Sequence, residues 1–237
     1  MRRGALIATI LGFVWGFAFA GAAIARPPVV VELYTAQGCS SCGKADAYVA
    51  QLADRKGVLV LTFGVDYWDY LGWKDTFAKP EFTDRQRAYA KRLGLAEVYT
   101  PQVVVDGAAE TAGAQPKSVE ALLRSARRTR SDPPDMRFRS ASRVAVGSGH
   151  HPKGGAEIWL VRYDPRSQDV DVKGGDNRGQ KVSERNVVVQ LVRLGAWRGH
   201  PVLLQAPPAP QPGLSTVVLV QEKDGGRILS VLQSKPE

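Results

Sequence analysis

The chain has 237 residues, 44% of them hydrophobic, a formal net charge of +9 and only two cysteines. That length supports real cores in one large domain or two small ones, and two cysteines are too few for the disulfide framework of a core-poor secreted domain. Much of the basic excess falls in one stretch holding Arg124, Arg127, Arg128, Arg130, Arg137, Arg139 and Arg143; it matches no nucleic-acid-binding motif, which argues against that class of partner.

That basic stretch reads as a solvated helix end and linker, with an anionic partner such as phospholipid or an acidic protein as the alternative. At the start of the chain, Arg2 and Arg3 precede the apolar run ALIATILGFVWGFAFAGAAIA, which ends in Ala23-Ile24-Ala25. A charged beginning, an apolar middle and a small-residue cleavage pattern predict a signal peptide over residues 1–25. The working protein is therefore expected to be periplasmic or secreted. It has no membrane contact unless the segment stays uncleaved, in which case Gly4 to Ala23 is just long enough to anchor it.

Val29 to Tyr34 is a β-branched run, predicted as a buried strand. Thr35-Ala36-Gln37-Gly38 is a turn that delivers the chain to Cys39. Ala45, Tyr48, Val49 and Leu52 then recur at helical spacing, in a helix predicted to stop near Lys56-Gly57. Val58 to Val65 is a second buried strand. A polar, aromatic segment follows, then a helix from about Thr83 to Leu93, closed by Gly94. Val103-Val104-Val105 is a third strand, Asp106-Gly107 a hairpin turn, Ala108 to Ala112 a short return strand, and Ser118 caps a last helix. Strand–helix–strand order implies a parallel pair, and the hairpin adds an antiparallel strand. Residues 26–131 are thus expected to be an α/β domain, a mixed sheet with helices on both faces.

Ser131-Asp132-Pro133-Pro134-Asp135 punctuates the chain. After it come strand-like runs at Phe138 to Val146, Ala156 to Tyr163, Val187 to Leu194, Val202 to Leu204, Thr216 to Gln221 and Ile228 to Leu232, separated by turn chemistry. They predict a mainly antiparallel β domain over residues 135–237, sandwich-like or a partial barrel.

Cys39 and Cys42 sit where the first strand hands over to the first helix. Residues three apart on a helix have side-chain carbons about 5–6 Å apart, near disulfide range. Cys39 is placed at the helix start, where free N–H groups and the dipole favour a thiolate, with Lys44 as a nearby cation. Cys42, one turn inside and less exposed, would be the resolving thiol. So short a bridge restrains the unfolded chain little, which favours chemistry over stapling. Zinc would ask for a second pair or a nearby histidine, and His150, His151 and His200 all lie in the other half. Cu(I) on two thiolates stays open. So does a permanent, inert disulfide.

With Tyr99-Thr100-Pro101 just before the third strand, where proline is tolerated, the element order over residues 28–130 resembles the thioredoxin superfamily. "YTAQGCSSC" is similar to the glutaredoxin version of its cysteine turn, and "YTPQVVVDG" to its Thr–cis-Pro segment. The chain is more similar still to the secreted thioredoxin-like proteins grouped as DUF1223, through "VELYTAQGCSSC", "VDYWDYLGWKD", "FTDRQRAYAKRLGL", "VYTPQVVVDG" and "GGDNRGQKVSERNVVVQLVRLGAW". It departs from that group in carrying Gly43-Lys44 where a proline usually follows the second cysteine. The resemblance implies that Cys39 and Cys42 are the redox pair and that Thr100 and Pro101 face Cys39 across a cis peptide bond. The backbone there would bind an extended substrate by strand addition. Glu32 resembles the buried acid that shuttles protons to the inner cysteine, at an offset that does not match cleanly.

The aromatic segment Asp66 to Trp73 lies at the carboxyl end of the second strand, where ligands gather in open α/β sheets. Tyr67 and Trp68 would form a substrate rim there; alternatively Trp68 and Trp73 pack against the second half. The loop Gly174 to Gly179 is a connection or a cover for the cysteines. The leading expectation is an exported thiol–disulfide exchange protein, its partners protein thiols, disulfides or a redox partner protein, with no cofactor and no metal. The alternatives are a thioredoxin-fold binding or assembly module with a permanent disulfide, and a Cu(I) carrier.

Overall fold

The computed structural model describes residues 27–126 and 134–234. The expected signal peptide and the arginines at 127, 128 and 130 lie outside the described residues. Strand β1 (Val29–Thr35) is buried along its whole length. Val29, Val31 and Leu33 join one apolar cluster, while Val30 and Tyr34 join another on the opposite face. Helix α1 (Gly43–Leu52) leads to β2 (Val58–Gly64), parallel to β1 with Val29 opposite Val58. Helix α2 (Pro80–Leu93) begins three residues before its expected start, because Pro80 stands in the first turn, where a missing N–H costs nothing. Gly94, left-handed at φ 72°, ends it. Strand β3 (Gln102–Val105) runs antiparallel to β1 and pairs with β4 (Ala109–Ala112) across a turn whose Asp106 and Gly107 have φ 48° and 62°. Helix α3 (Pro116–Ala126) follows.

The helices cover both faces. Val49 and Leu52 of α1 share a cluster with Val119 and Leu123 of α3, and Phe82 and Tyr89 of α2 belong to the other.

Phe138 to Val146 is two strands, not one. β5 (Met136–Ser140) and β6 (Arg143–Val146) pair antiparallel, and with β9 (Val202–Gln205) they form a separate three-stranded sheet. β7 (Ala156–Asp171), β8 (Lys181–Trp197), β10 (Ser215–Glu222) and β11 (Ile228–Ser234) are antiparallel to one another, as expected. They do not form a free-standing sheet. Strand β8 joins the exposed edge of β2, giving one eight-stranded mixed sheet in the order β11-β10-β7-β8-β2-β1-β3-β4.

The reason is physical. An apolar strand left as a sheet edge presents unpaired backbone groups to other chains, and β2 is buried throughout. The junction relies on side chains as much as on the ladder. Thr62 pairs with Val187, the Thr62 hydroxyl donates to the Arg185 carbonyl at 2.7 Å, and the Asn186 amide donates to the Val60 carbonyl at 2.9 Å. The cluster beneath α2 accordingly includes Val161, Tyr163, Val188, Val217 and Leu219. The three-stranded sheet packs Val144 and Val146 against Ile158, Leu160 and Val218, around the fully buried Trp197. That packing is sandwich-like.

Candidate functional site around Cys39 and Cys42

The cysteines form a disulfide with Cα atoms 5.5 Å apart. The helix begins later than its sequence pattern implies. Cys42 is the N-cap of α1, its carbonyl accepting from the N–H groups of Ala45 and Asp46 at 2.8 and 3.0 Å. Cys39 stands a turn earlier, in a tight bend closed by the Cys42 N–H donating to the Cys39 carbonyl at 3.1 Å. Gly38, Ser40 and Ser41 are weak helix formers, and the chain uses them for the bend. Burial also differs from expectation. Each cysteine is only 1% exposed, while Ser40, Ser41 and Lys44 face solvent.

Segments distant in sequence converge on the pair. The peptide between Thr100 and Pro101 is cis, and it places the Thr100 hydroxyl 3.3 Å from Cys39 Sγ, donating to it. The Trp68 indole N–H donates to the same hydroxyl oxygen at 2.7 Å, which fixes its orientation. The Ser41 hydroxyl lies 3.4 Å from Cys39 Sγ. Tyr67 packs beside Trp68 with ring centres 6.4 Å apart, and burial pushes its phenol up to about 12. Thr100, Pro101, Tyr67 and Trp68 therefore stand together with Cys39.

Gln37, absent from the sequence-based candidates, anchors the turn. Its side-chain carbonyl accepts from the Trp73 indole at 3.0 Å and the Thr76 N–H at 3.1 Å, its amide donates to the Thr76 hydroxyl at 2.8 Å, and its N–H donates to Asp75 at 2.7 Å. Trp73 thus belongs to the site.

The loop from Gly174 to Gly179 closes over the turn from the far half of the chain. The Asn177 amide nitrogen donates to the carbonyls of both Gln37 and Cys39, each at 2.9 Å. The approach requires glycine. A Cβ on Gly174 would stand 2.3 Å from the Gly72 carbonyl oxygen, and Gly175, at φ 68°, holds a left-handed backbone that side chains rarely adopt.

Glu32 lies at the middle of β1. Its Oε1 accepts from Arg85 Nε and Nη2 at 3.0 and 2.8 Å. Arg85 is itself held among the rings of Phe63, Tyr89 and Trp159. The carboxylate is committed to that pair.

Acids unmarked by sequence reasoning lie nearer the cysteines. Asp46, one turn beyond Cys42, is buried and accepts from the Thr35 hydroxyl at 2.8 Å. Burial pushes its carboxyl up to about 7, with Asp75 adding to the rise. Glu184 of β8 is 2% exposed, with neither carboxyl oxygen hydrogen-bonded. Its burial and the neighbouring Asp46 and Asp75 push it well above the usual carboxyl range. Asp46 was legible in principle, since Cys42, Ala45, Asp46 and Val49 follow helical spacing and place an acid in the apolar stripe. Glu184 follows the alternation of Val182, but nothing local says which element it meets.

The chain is similar to a crystal structure of a protein from Agrobacterium tumefaciens, with 30% identity and a TM-score of 0.74, over 91% of this chain and 97% of that one. It shares a fold with HBP35 of Porphyromonas gingivalis at 11% identity and a TM-score of 0.58, over 89% of this chain and 76% of that one. No curated protein matches the sequence. Residues 30–221 match the family described as "Protein of unknown function (DUF1223)", and the chain belongs to that family.

Proposed function

We propose that this is an exported thiol–disulfide exchange protein of thioredoxin-like type, working through Cys39 and Cys42. The observation that carries the reading is the Thr100 hydroxyl, delivered by a cis Thr–Pro loop to 3.3 Å from Cys39 Sγ. A donor aimed at sulfur stabilises a thiolate there. Cys42, as N-cap, stands at the positive end of α1, which favours its thiolate as the leaving group.

In the oxidising direction a substrate thiolate attacks Cys39 Sγ. The Cys39–Cys42 bond breaks, and its electron pair leaves on Cys42 as a thiolate, which takes up a proton. A second substrate thiolate attacks the substrate sulfur of the mixed disulfide and releases Cys39 as a thiolate, later protonated. Two electrons pass to the protein and the substrate leaves as a disulfide. The reducing direction reverses each step, with Cys39 attacking and Cys42 resolving. Asp46, with its carboxyl near neutrality, takes the proton-handling role that sequence offered to Glu32. Tyr67, Trp68, Thr100 and Pro101 form the rim that receives a protein thiol or disulfide. The apolar segment over residues 1–25 supports a place outside the cytoplasm.

A second reading keeps the disulfide permanent and makes the protein a binding or assembly module; the near-complete burial of both cysteines favours it. Cu(I) carriage rests on the two sulfurs alone. An insulin-reduction assay with trapping by Cys42→Ser separates these. Turnover by the wild type and a mixed disulfide captured by the variant are expected. Absence of both, with a bridge that glutathione cannot reduce, would establish the permanent disulfide; tight Cu(I) binding by the reduced protein would favour the carrier.

A further inference from the structure

We propose that Asn177 is a specificity-determining residue of the cysteine site, and that the strap it pins is a gate which an extended polypeptide opens by replacing it. The inference rests on the exchange reading, which needs a sulfur that a partner can reach. In the closed structure each cysteine is 1% exposed. The cover on the Gly38 side comes from residues 174–179 and is fastened at its tip, where one amide nitrogen donates to two main-chain carbonyls, those of Gln37 and Cys39. A longer contact of 3.5 Å joins the Ser40 hydroxyl to Asp176.

The strap is built to lift. From Lys173 to Gln180 the sequence KGGDNRGQ holds no apolar side chain, so lifting it uncovers little surface that water disfavours, and the bonds lost can be remade to solvent. It also carries its own closure. Gly179 N–H donates to the Val172 carbonyl at 2.8 Å and Val172 N–H to the Gln180 carbonyl at 3.0 Å. Within it, Arg178 N–H reaches Gly175 at 3.2 Å and Gln180 N–H reaches Asn177 at 2.9 Å. It can therefore swing as a unit from the buried Val172 without unfolding.

The occupant follows from the bonds. Two carbonyls flanking Gly38 are held by amide N–H donors, and the chemical group that can replace a side-chain amide there is a peptide N–H. An extended segment bearing a cysteine offers such donors beside its sulfur; a small thiol offers none and must wait for spontaneous opening.

The test measures how fast the disulfide of the full protein is reduced by dithiothreitol and by an extended cysteine-containing peptide. The proteins compared are wild type, Asn177→Ala, Asn177→Asp and, as a control on the strap, Gln180→Ala. Both Asn177 variants should react with dithiothreitol roughly tenfold faster, as expected when the closed form loses two hydrogen bonds. The peptide's advantage over dithiothreitol should shrink, while the reduction potential and Gln180→Ala stay at wild-type values. Wild-type rates in both Asn177 variants, or a rate gain matched by a shifted potential, would overturn the gate. Dithiothreitol opens a disulfide in a catalyst and in a staple alike. Faster reduction without insulin turnover therefore keeps the gate and removes the exchange reading, and turnover without faster reduction does the reverse.

Discussion

Asp46 and Glu184 bring two carboxyls into one buried place where the structure gives them a single hydrogen-bond donor, the Thr35 hydroxyl. Two charges there would each lose hydration without a cation in return, so the folded protein holds protons that the unfolded chain releases. The sign follows from linkage. A carboxyl whose folded value lies above its unfolded one contributes stability in full below the unfolded value of 3.8 for Asp46, and that contribution is lost as pH rises through about 7. Asp46→Asn should therefore match the wild type near pH 4 and exceed it at pH 8 by on the order of 2 kcal/mol in urea unfolding. An equal difference at the two pH values would show that the carboxyl is not held protonated. The same substitution should slow exchange between pH 6 and 8 if Asp46 handles the proton of Cys42.

At the scale of elements, α1 was the informative case. Its apolar stripe was legible from Ala45, Val49 and Leu52, but its start was not. Spacing alone allows Cys39 or Cys42 to open the helix, and the choice falls to the bend that the serines and Gly38 permit. Gly43 is therefore the first residue of the helix. A proline at position 43 would sit badly here, because Cys42 is in the α region at ψ −35°, a conformation that a following proline disfavours. An ordinary side chain meets no obstacle, since a Cβ on Gly43 would touch nothing within 4 Å. Gly43→Ala should stabilise the protein by about 0.5–1 kcal/mol through the unfolded chain, read as a raised thermal midpoint. A lower midpoint would mean that the turn needs glycine's freedom. Strands β7 and β8, at 16 and 17 residues, outran their apolar cores because their outer ends alternate in burial with polar residues such as Glu184 and Asn186 on the inner face, which give no apolar signal.

For the whole molecule, the change of character after residue 131 was visible, and so were most of the strands on either side. What could not be read was that the strands meet. Pairing between Thr62 and Val187 joins residues far apart in sequence, and no local pattern records it. The covering of β2 by β8 and the shared cluster beneath α2 make the first half depend on the second. A chain ending at residue 133 should then show no cooperative thermal transition and should bind a hydrophobic dye. A sharp calorimetric transition from that fragment would mean that residues 27–126 hold themselves together. Cys39, Cys42, Thr100, Pro101, Tyr67 and Trp68 could all be found from sequence because they lie in the first half, in segments that announce themselves. Asn177 and Glu184 could not, because each matters through a neighbour that only the finished sheet supplies.

The same junction sets an order of events in time. Cys39 and Cys42 leave the ribosome, or an export channel, more than a hundred residues before Asn177, which donates to the Cys39 carbonyl across 138 positions of sequence. During that interval the strap is not yet there to cover the two thiols. The strap arrives later, over a turn whose own residues are already in place. A newly made molecule thus passes through an early stage in which the cysteine turn lacks its Asn177 contacts.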